Sequence, residues 1–194
     1  MARDNPPSTP CAALAKPQIA LMGEVNAAMA QFLRDGLRRE DRDGDGPVVV
    51  EITTLGGDAE LVRRMVRDVD EARARLAPRR LIFSGQTTVY SAGTTLMAAF
   101  PKEDRYLSKD AMLMIHCRQL TETVELDGPI RSSIPRVTAL LHQLETGIEL
   151  ENEHFERLIE GSDVPMDELI EKALFNWYLP ADEARRRGLV ADVF

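Results

Sequence analysis

Two residue types in this chain, a serine and a histidine, have a spacing that can do nucleophilic chemistry. Ser91 opens the small-residue run Ser91–Phe100, which reads as a buried helix, and His116 ends the apolar run Met112–Ile115, which reads as a buried strand. A serine opening a buried helix and a histidine leaving a buried strand can meet as nucleophile and general base. Gly56-Gly57 follows the β-branched run Val48–Ile52. Such a pair either turns the chain where only glycine fits, or aims a backbone N–H at an anion. Cys117 is a second thinkable nucleophile, but strand alternation sends its side chain to the face opposite His116. Taken singly, Ser91 reads as a helix cap and His116 as a core histidine. Their joint placement with the glycine pair, all at strand ends, is what points to a site.

The elements around these residues alternate. A short strand over Pro17–Gly23 precedes a helix capped by Asn26 and running to Arg39, with Ala28, Phe32, Leu33 and Leu37 on its apolar face. Asp41–Gly46 imitates the start of a calcium loop, but Ile52 stands where a bidentate Glu is needed, so a polar turn is expected. The strand Val48–Ile52 is followed by a helix from Ala59 to Leu76 with Leu61, Met65, Val66, Val69 and Ala72 as its stripe. Leu81–Phe83, the Ser91 helix and Met112–Ile115 continue the alternation. That is the pattern of a parallel sheet with helices packed on it, and right-handed crossovers bring the strand-end loops to one edge. Gln119–Leu126 reads as a strand or an irregular arm. A long helix is predicted over Ile134–Ile159, longer than one core requires, which implies subunit contacts. Shorter helices over 164–174 and 180–188 and a closing strand Leu189–Val193 complete the chain.

The 194 residues suffice for one substantial core. Residues 1–16 read as a disordered or loosely attached leader without a signal-peptide apolar region, residues 17–194 as a single α/β domain, and residues 118–161 within it as a handle-like oligomerisation region. A formal charge of −8, with arginines interleaved among acids, argues against nucleic acid as a partner. No apolar run is long enough for a membrane span. Two distant cysteines make no disulfide framework, and a cytoplasmic setting is the simpler expectation.

On Leu55-Gly56-Gly57-Asp58, Tyr90-Ser91-Ala92-Gly93, Met112–His116, Ala181-Asp182-Glu183-Ala184 and Gly188-Leu189-Val190, in that order, the chain resembles the proteolytic subunit of Clp protease from about Ile19 to Phe194. The resemblance implies a crotonase-like fold of repeated β-β-α and βαβ units, with a largely parallel sheet flanked by helices and a long protruding helix. It implies Ser91 as nucleophile, His116 as general base, and the backbone N–H groups of Gly57 and Ala92 as an oxyanion hole. Asn176 stands where the family's third triad residue, an aspartate, is expected. No cofactor and no metal are implied. Peptide or unfolded protein is the implied substrate, and the implied assembly is a homo-oligomer of stacked rings, of hexamer or heptamer type. The leader differs from the family's N-terminal loop, which leaves an unfoldase ATPase partner open. The segment after His116 also differs, lacking the family's glycine- and glutamine-rich strand.

Three readings follow. The first is a serine endopeptidase of Clp type. The second is a catalytically weak or inactive structural subunit, which Asn176 favours. The third is an acyl-CoA enzyme of the same fold, for which Asp58 is the one acid at an equivalent strand end.

Overall fold

The computed structural model describes residues 11–194. The chain runs α1 (Cys11–Leu14), β1 (Ile19–Met22), α2 (Ala27–Arg39), β2 (Val48–Thr54), α3 (Ala59–Leu76), β3 (Leu81–Tyr90), α4 (Ala92–Met97), β4 (Arg105–Leu107) and β5 (Met112–Ile115). It continues through α5 (Ile130–Ile159), α6 (Met166–Ala173), β6 (Trp177–Pro180), α7 (Ala181–Arg186) and β7 (Asp192–Val193). The strands form one sheet in the order β1-β2-β3-β4-β7, and β5 branches from β3 to pair with β6. Every pairing is parallel except β5 with β6. The expected α/β class and largely parallel sheet are both present.

β3 makes the branch possible. Its first half, Phe83–Gly85, pairs with β4, and its second half, Thr88–Tyr90, pairs with β5. Between them the register against β2 slips, from Ile52 opposite Gly85 to Thr54 opposite Val89. A bulge of this kind bends a strand, and the bent half of β3 carries the chain to Ser91. Apolar residues alone mark this strand only over Leu81–Phe83, since polar residues follow, and they mark neither β4 nor β6. β4 contains Arg105, an unusual residue for a strand that is buried throughout.

The core lies between the sheet and α2, α3, α4 and the end of α5. α3 buries Val62, Met65, Val66, Val69, Ala72 and Leu76, and each larger side chain contributes about 1.5–3 kcal/mol when fully removed from water. Leu61 is only half-buried. α2 begins where Asn26 accepts the Met29 N–H at 3.0 Å, but its buried face is Met29, Ala30, Leu33, Gly36 and Leu37. Ala28 and Phe32 therefore turn outward, a rotation of the expected face toward β1 and α3. Asp68 of α3 is 7% exposed and holds Arg34 of α2 at 3.2 Å and Arg64 at 2.7 Å, tying the two helices together.

Arg105 is 2% exposed, and among the described residues no carboxylate forms an ion pair with it. Its guanidinium donates instead to the carbonyls of Phe100 (2.8 Å), Leu158 (2.7 Å), Leu189 (3.2 Å) and Arg157 (2.9 Å). Burial lowers its pKa to about 10, so it stays cationic at neutral pH. The last carbonyls of α5 carry the negative end of the helix dipole, which suits a buried cation there. One side chain thereby joins the exit of α4, the end of α5 and the approach to β7.

The polar turn expected at residues 41–46 is held by a side chain. Arg79 donates to the carbonyls of Asp41 (2.6 Å) and Gly46 (2.7 Å) and pairs with Glu40 at 3.0 Å. Part of the expected leader is described. Residues 1–10 lie outside the described residues, but Cys11–Leu14 is helical and Leu14, 2% exposed, packs with Val49, Ile82 and Tyr106. Gln119–Leu126 is irregular and α5 starts at Ile130, one turn earlier than predicted, with Pro135 in its second turn. Along α5 only Phe155 and Leu158 are buried, and Ile130, Ile134, Val137, Leu141, Leu144 and Ile148 are exposed.

Candidate active site

Ser91 is the hinge between β3 and α4. Its backbone lies at φ 53°, ψ −113°, a conformation a side chain other than glycine's rarely adopts. Strain of this kind costs about 1–3 kcal/mol and persists only where the surroundings over-determine it. They do so here. The Ser91 N–H donates to Met114 O of β5 at 2.8 Å, and the Ser91 carbonyl accepts from the Thr94 N–H at 2.9 Å and the Thr94 hydroxyl at 2.7 Å. The result is a sharp elbow that turns the serine side chain away from capping α4.

His116 follows β5 directly, and the β3–β5 pairing of Tyr90 with Met114 sets its height beside the elbow. Its Nε2 lies 2.7 Å from Ser91 Oγ, and its Nδ1 lies 2.6 Å from the Cys117 carbonyl oxygen. A carbonyl only accepts, so Nδ1 carries the proton and donates it. In the neutral ring Nε2 is then the lone-pair nitrogen, and the Ser91 hydroxyl donates to it. This is the tautomer a general base for Ser91 needs.

The glycine pair lies across from the elbow. Gly57 sits at φ 147°, and a β-carbon there would meet the Val25 carbonyl oxygen at 2.4 Å. Gly57 and Ala92 both line the cleft at Ser91. Among the described residues, neither backbone N–H finds an acceptor outside regular secondary structure. Two such N–H groups beside a nucleophile can receive a developing oxyanion. Asp58, the one strand-end acid, caps α3 by accepting the Glu60 N–H at 2.8 Å and the Leu61 N–H at 2.9 Å. That occupation disfavours the acyl-CoA reading.

Asn176 is not brought to the histidine. It is exposed, it has φ 61° in the turn before β6, and its N–H donates to Ala173 O at 3.3 Å. Among the described residues, the hydrogen bonds of the His116 ring go to Ser91 and Cys117 alone. The main chain supplies the third partner. Cys117 points away from the serine, as alternation requires, and lines a separate groove with Leu144, Ile148, Glu151 and Ile170. Burial, with Glu151 beside it, raises its thiol pKa to about 11, which leaves it un-ionised at neutral pH.

The cleft at Ser91 has a volume of about 350 Å³, and its far wall comprises Val62, His154, Phe155 and Leu158, with Arg118 at the side. Arg118 donates to Glu60, which also holds Arg63 at 2.6 Å, and these bonds keep the Glu60 carboxyl below its usual range. Burial first, then the charges of Arg118 and Arg63, lower the pKa of the His154 imidazole. Sequence reasoning missed Arg118 and His154. Both lie in stretches whose only signal was polarity or helix period, and they reach the cleft through tertiary packing alone.

Elbow serine, adjoining histidine, branched parallel sheet and outlying long helix together define an α/β fold of Clp protease type. No family model and no curated protein matches the sequence. Among solved structures, the chain is similar to an asparagine-to-aspartate mutant of ClpP1 from Listeria monocytogenes, with 16% identity, a TM-score of 0.71 and 95% of each chain covered. The fold is therefore Clp protease-like, and the sequence is a divergent one.

Proposed function

We propose that the chain is a serine endopeptidase of Clp type, hydrolysing peptide bonds through an acyl-enzyme on Ser91. The observation that carries this reading is the 2.7 Å contact between Ser91 Oγ and His116 Nε2 at a strained elbow. Ser91 attacks the scissile carbonyl as His116 takes its proton. The carbonyl oxygen, now anionic, is received by the N–H groups of Gly57 and Ala92. His116 returns the proton to the leaving amine, and water then enters by the same route in reverse. Residues 17–194 act as one domain, without cofactor or metal, in a cytoplasmic setting.

The reading includes a homo-oligomer of stacked rings that encloses the sites. Its support is the exposed series Ile130, Ile134, Val137, Leu141, Leu144 and Ile148, whose alternating spacing of four and three makes one apolar seam on α5. Partnership with an unfoldase ATPase stays outside the proposal. A second reading, a catalytically weak structural subunit, is favoured by the exposure of Asn176.

Labelling with a fluorophosphonate probe separates the two. Native protein labels in the first reading, and Ser91→Ala and His116→Ala do not. A folded, assembled native chain that stays unlabelled supports the structural-subunit reading.

A further inference from the structure

The carbonyl that holds His116 belongs to a peptide whose other end meets a carboxylate. The Arg118 N–H, on the same peptide unit as the Cys117 carbonyl, donates to Glu151 Oε2. A continuous path thus runs from Ser91 Oγ to His116 Nε2 at 2.7 Å, across the ring to Nδ1, and on to the Cys117 carbonyl oxygen at 2.6 Å. It then crosses the planar 117–118 amide to Glu151 on α5. We propose that Glu151 is a positioning residue of the catalytic machinery, serving through this peptide as the acid that Asn176 does not supply. The inference rests on the hydrolase reading above.

The physical basis is the polarisability of an amide. A carboxylate accepting the N–H draws that proton and pushes electron density toward the carbonyl oxygen, because the C–N bond has partial double-bond character. Hydrogen bonds in such a chain strengthen one another, and a charged acceptor is stronger than a neutral one. The carbonyl therefore becomes a better acceptor for Nδ1–H, fixes the tautomer, and favours the imidazolium that forms when Ser91 gives up its proton. No proton reaches Glu151, which touches neither the serine nor a substrate.

The residues on both sides of this amide are held as well. The Cys117 N–H donates to Ala173 O at 3.2 Å, and the Arg118 side chain is anchored by Glu60. The nearness of the carboxylate is also felt at the Cys117 thiol, where Glu151 adds to the effect of burial in raising the pKa. A surface glutamate serving only helix solubility needs none of these contacts. Glu149, two residues earlier on α5, is exposed and makes no ion pair among the described residues.

The test uses the full chain as Glu151→Gln, which keeps an acceptor and removes the charge, with Glu149→Gln as the control. Two readouts are taken: the fluorophosphonate labelling rate of Ser91, resolved into binding and reaction, and the downfield proton resonance of His116 Nδ1–H, assigned by its absence in His116→Ala. Glu151→Gln should slow the reaction step by about 3- to 10-fold, leave probe binding unchanged, and move the resonance upfield. Glu149→Gln should change neither. Native-like labelling with an unmoved resonance in Glu151→Gln overturns the proposal. Should the native chain not label at all, the hydrolase reading fails separately and the resonance alone decides: a shift supports the relay, and none overturns it.

Discussion

Gly56 is the residue through which the elbow can be disturbed with least chemical change. It sits at φ 111°, and a β-carbon built there lies 2.8 Å from Ser91 Cβ and 3.1 Å from Ser91 Oγ, where ordinary contact begins at 3.4 Å. Gly56→Ala must therefore displace Ser91 by about half an ångström or push the 56–57 turn away from it. Ser91 has nowhere to retreat, since Met114 O holds its N–H, Thr94 its carbonyl, and His116 its hydroxyl. A misplacement near 1 Å costs about 100-fold in rate, so a loss of about 10- to 100-fold in labelling or peptide hydrolysis is expected. The backbone conformation adds its own penalty of about 1–3 kcal/mol in stability. Gly23 separates the two effects. It has nearly the same φ, 107°, but a β-carbon there meets nothing within 4 Å. Gly23→Ala should lose similar stability in a thermal melt and keep its rate. Equal loss of rate in both variants, or a native rate in Gly56→Ala, would refute the idea that Gly56 sets the position of Ser91.

Three further outcomes follow from the geometry. Asn176→Asp should change the labelling rate by less than about threefold, because His116 Nδ1 already has its acceptor in the Cys117 carbonyl; a large gain would mean that the new carboxylate displaces that carbonyl. Arg187, with Lys172, holds the Glu168 carboxyl down to about 2, so that contribution to stability is full above the ordinary carboxylate pKa near 4.5 and fades as pH falls toward 2. Denaturation of Glu168→Gln against native protein should accordingly show a stability gap at pH 6 that closes across that window, and a gap unchanged at pH 2 would contradict it. Leu141→Glu, in the middle of the exposed seam on α5, should shift the sedimentation profile toward smaller species while leaving the melting temperature close to native, since Leu141 is 51% exposed and packs on no core residue.

The sequence alone determined the elements that carry the chemistry. Apolar runs end at Ile115 and small residues begin at Ser91, so hydrophobic periodicity places the serine on a strand-to-helix turn and the histidine at a strand end. Parallel connectivity brings both to one edge. The glycine pair was legible for the same reason, lying between the strongest strand and the longest regular helix of the first half. What periodicity cannot show is contact between elements that alternate on different periods or break theirs. The half of β3 beyond Phe83 is polar, and only pairing with β5 makes it a strand. β4 is three residues built around Arg105, whose burial depends on four carbonyls from distant segments. The resemblance points to the side chain of Asn176 as the partner of His116, and the tertiary structure puts a main-chain carbonyl there, a group every residue carries and no sequence marks. Glu151 looks like any solvated glutamate on a long helix until the packing of α5 sets it against one particular N–H. A side chain's type is written in the sequence, but its partners are fixed only when the chain closes on itself.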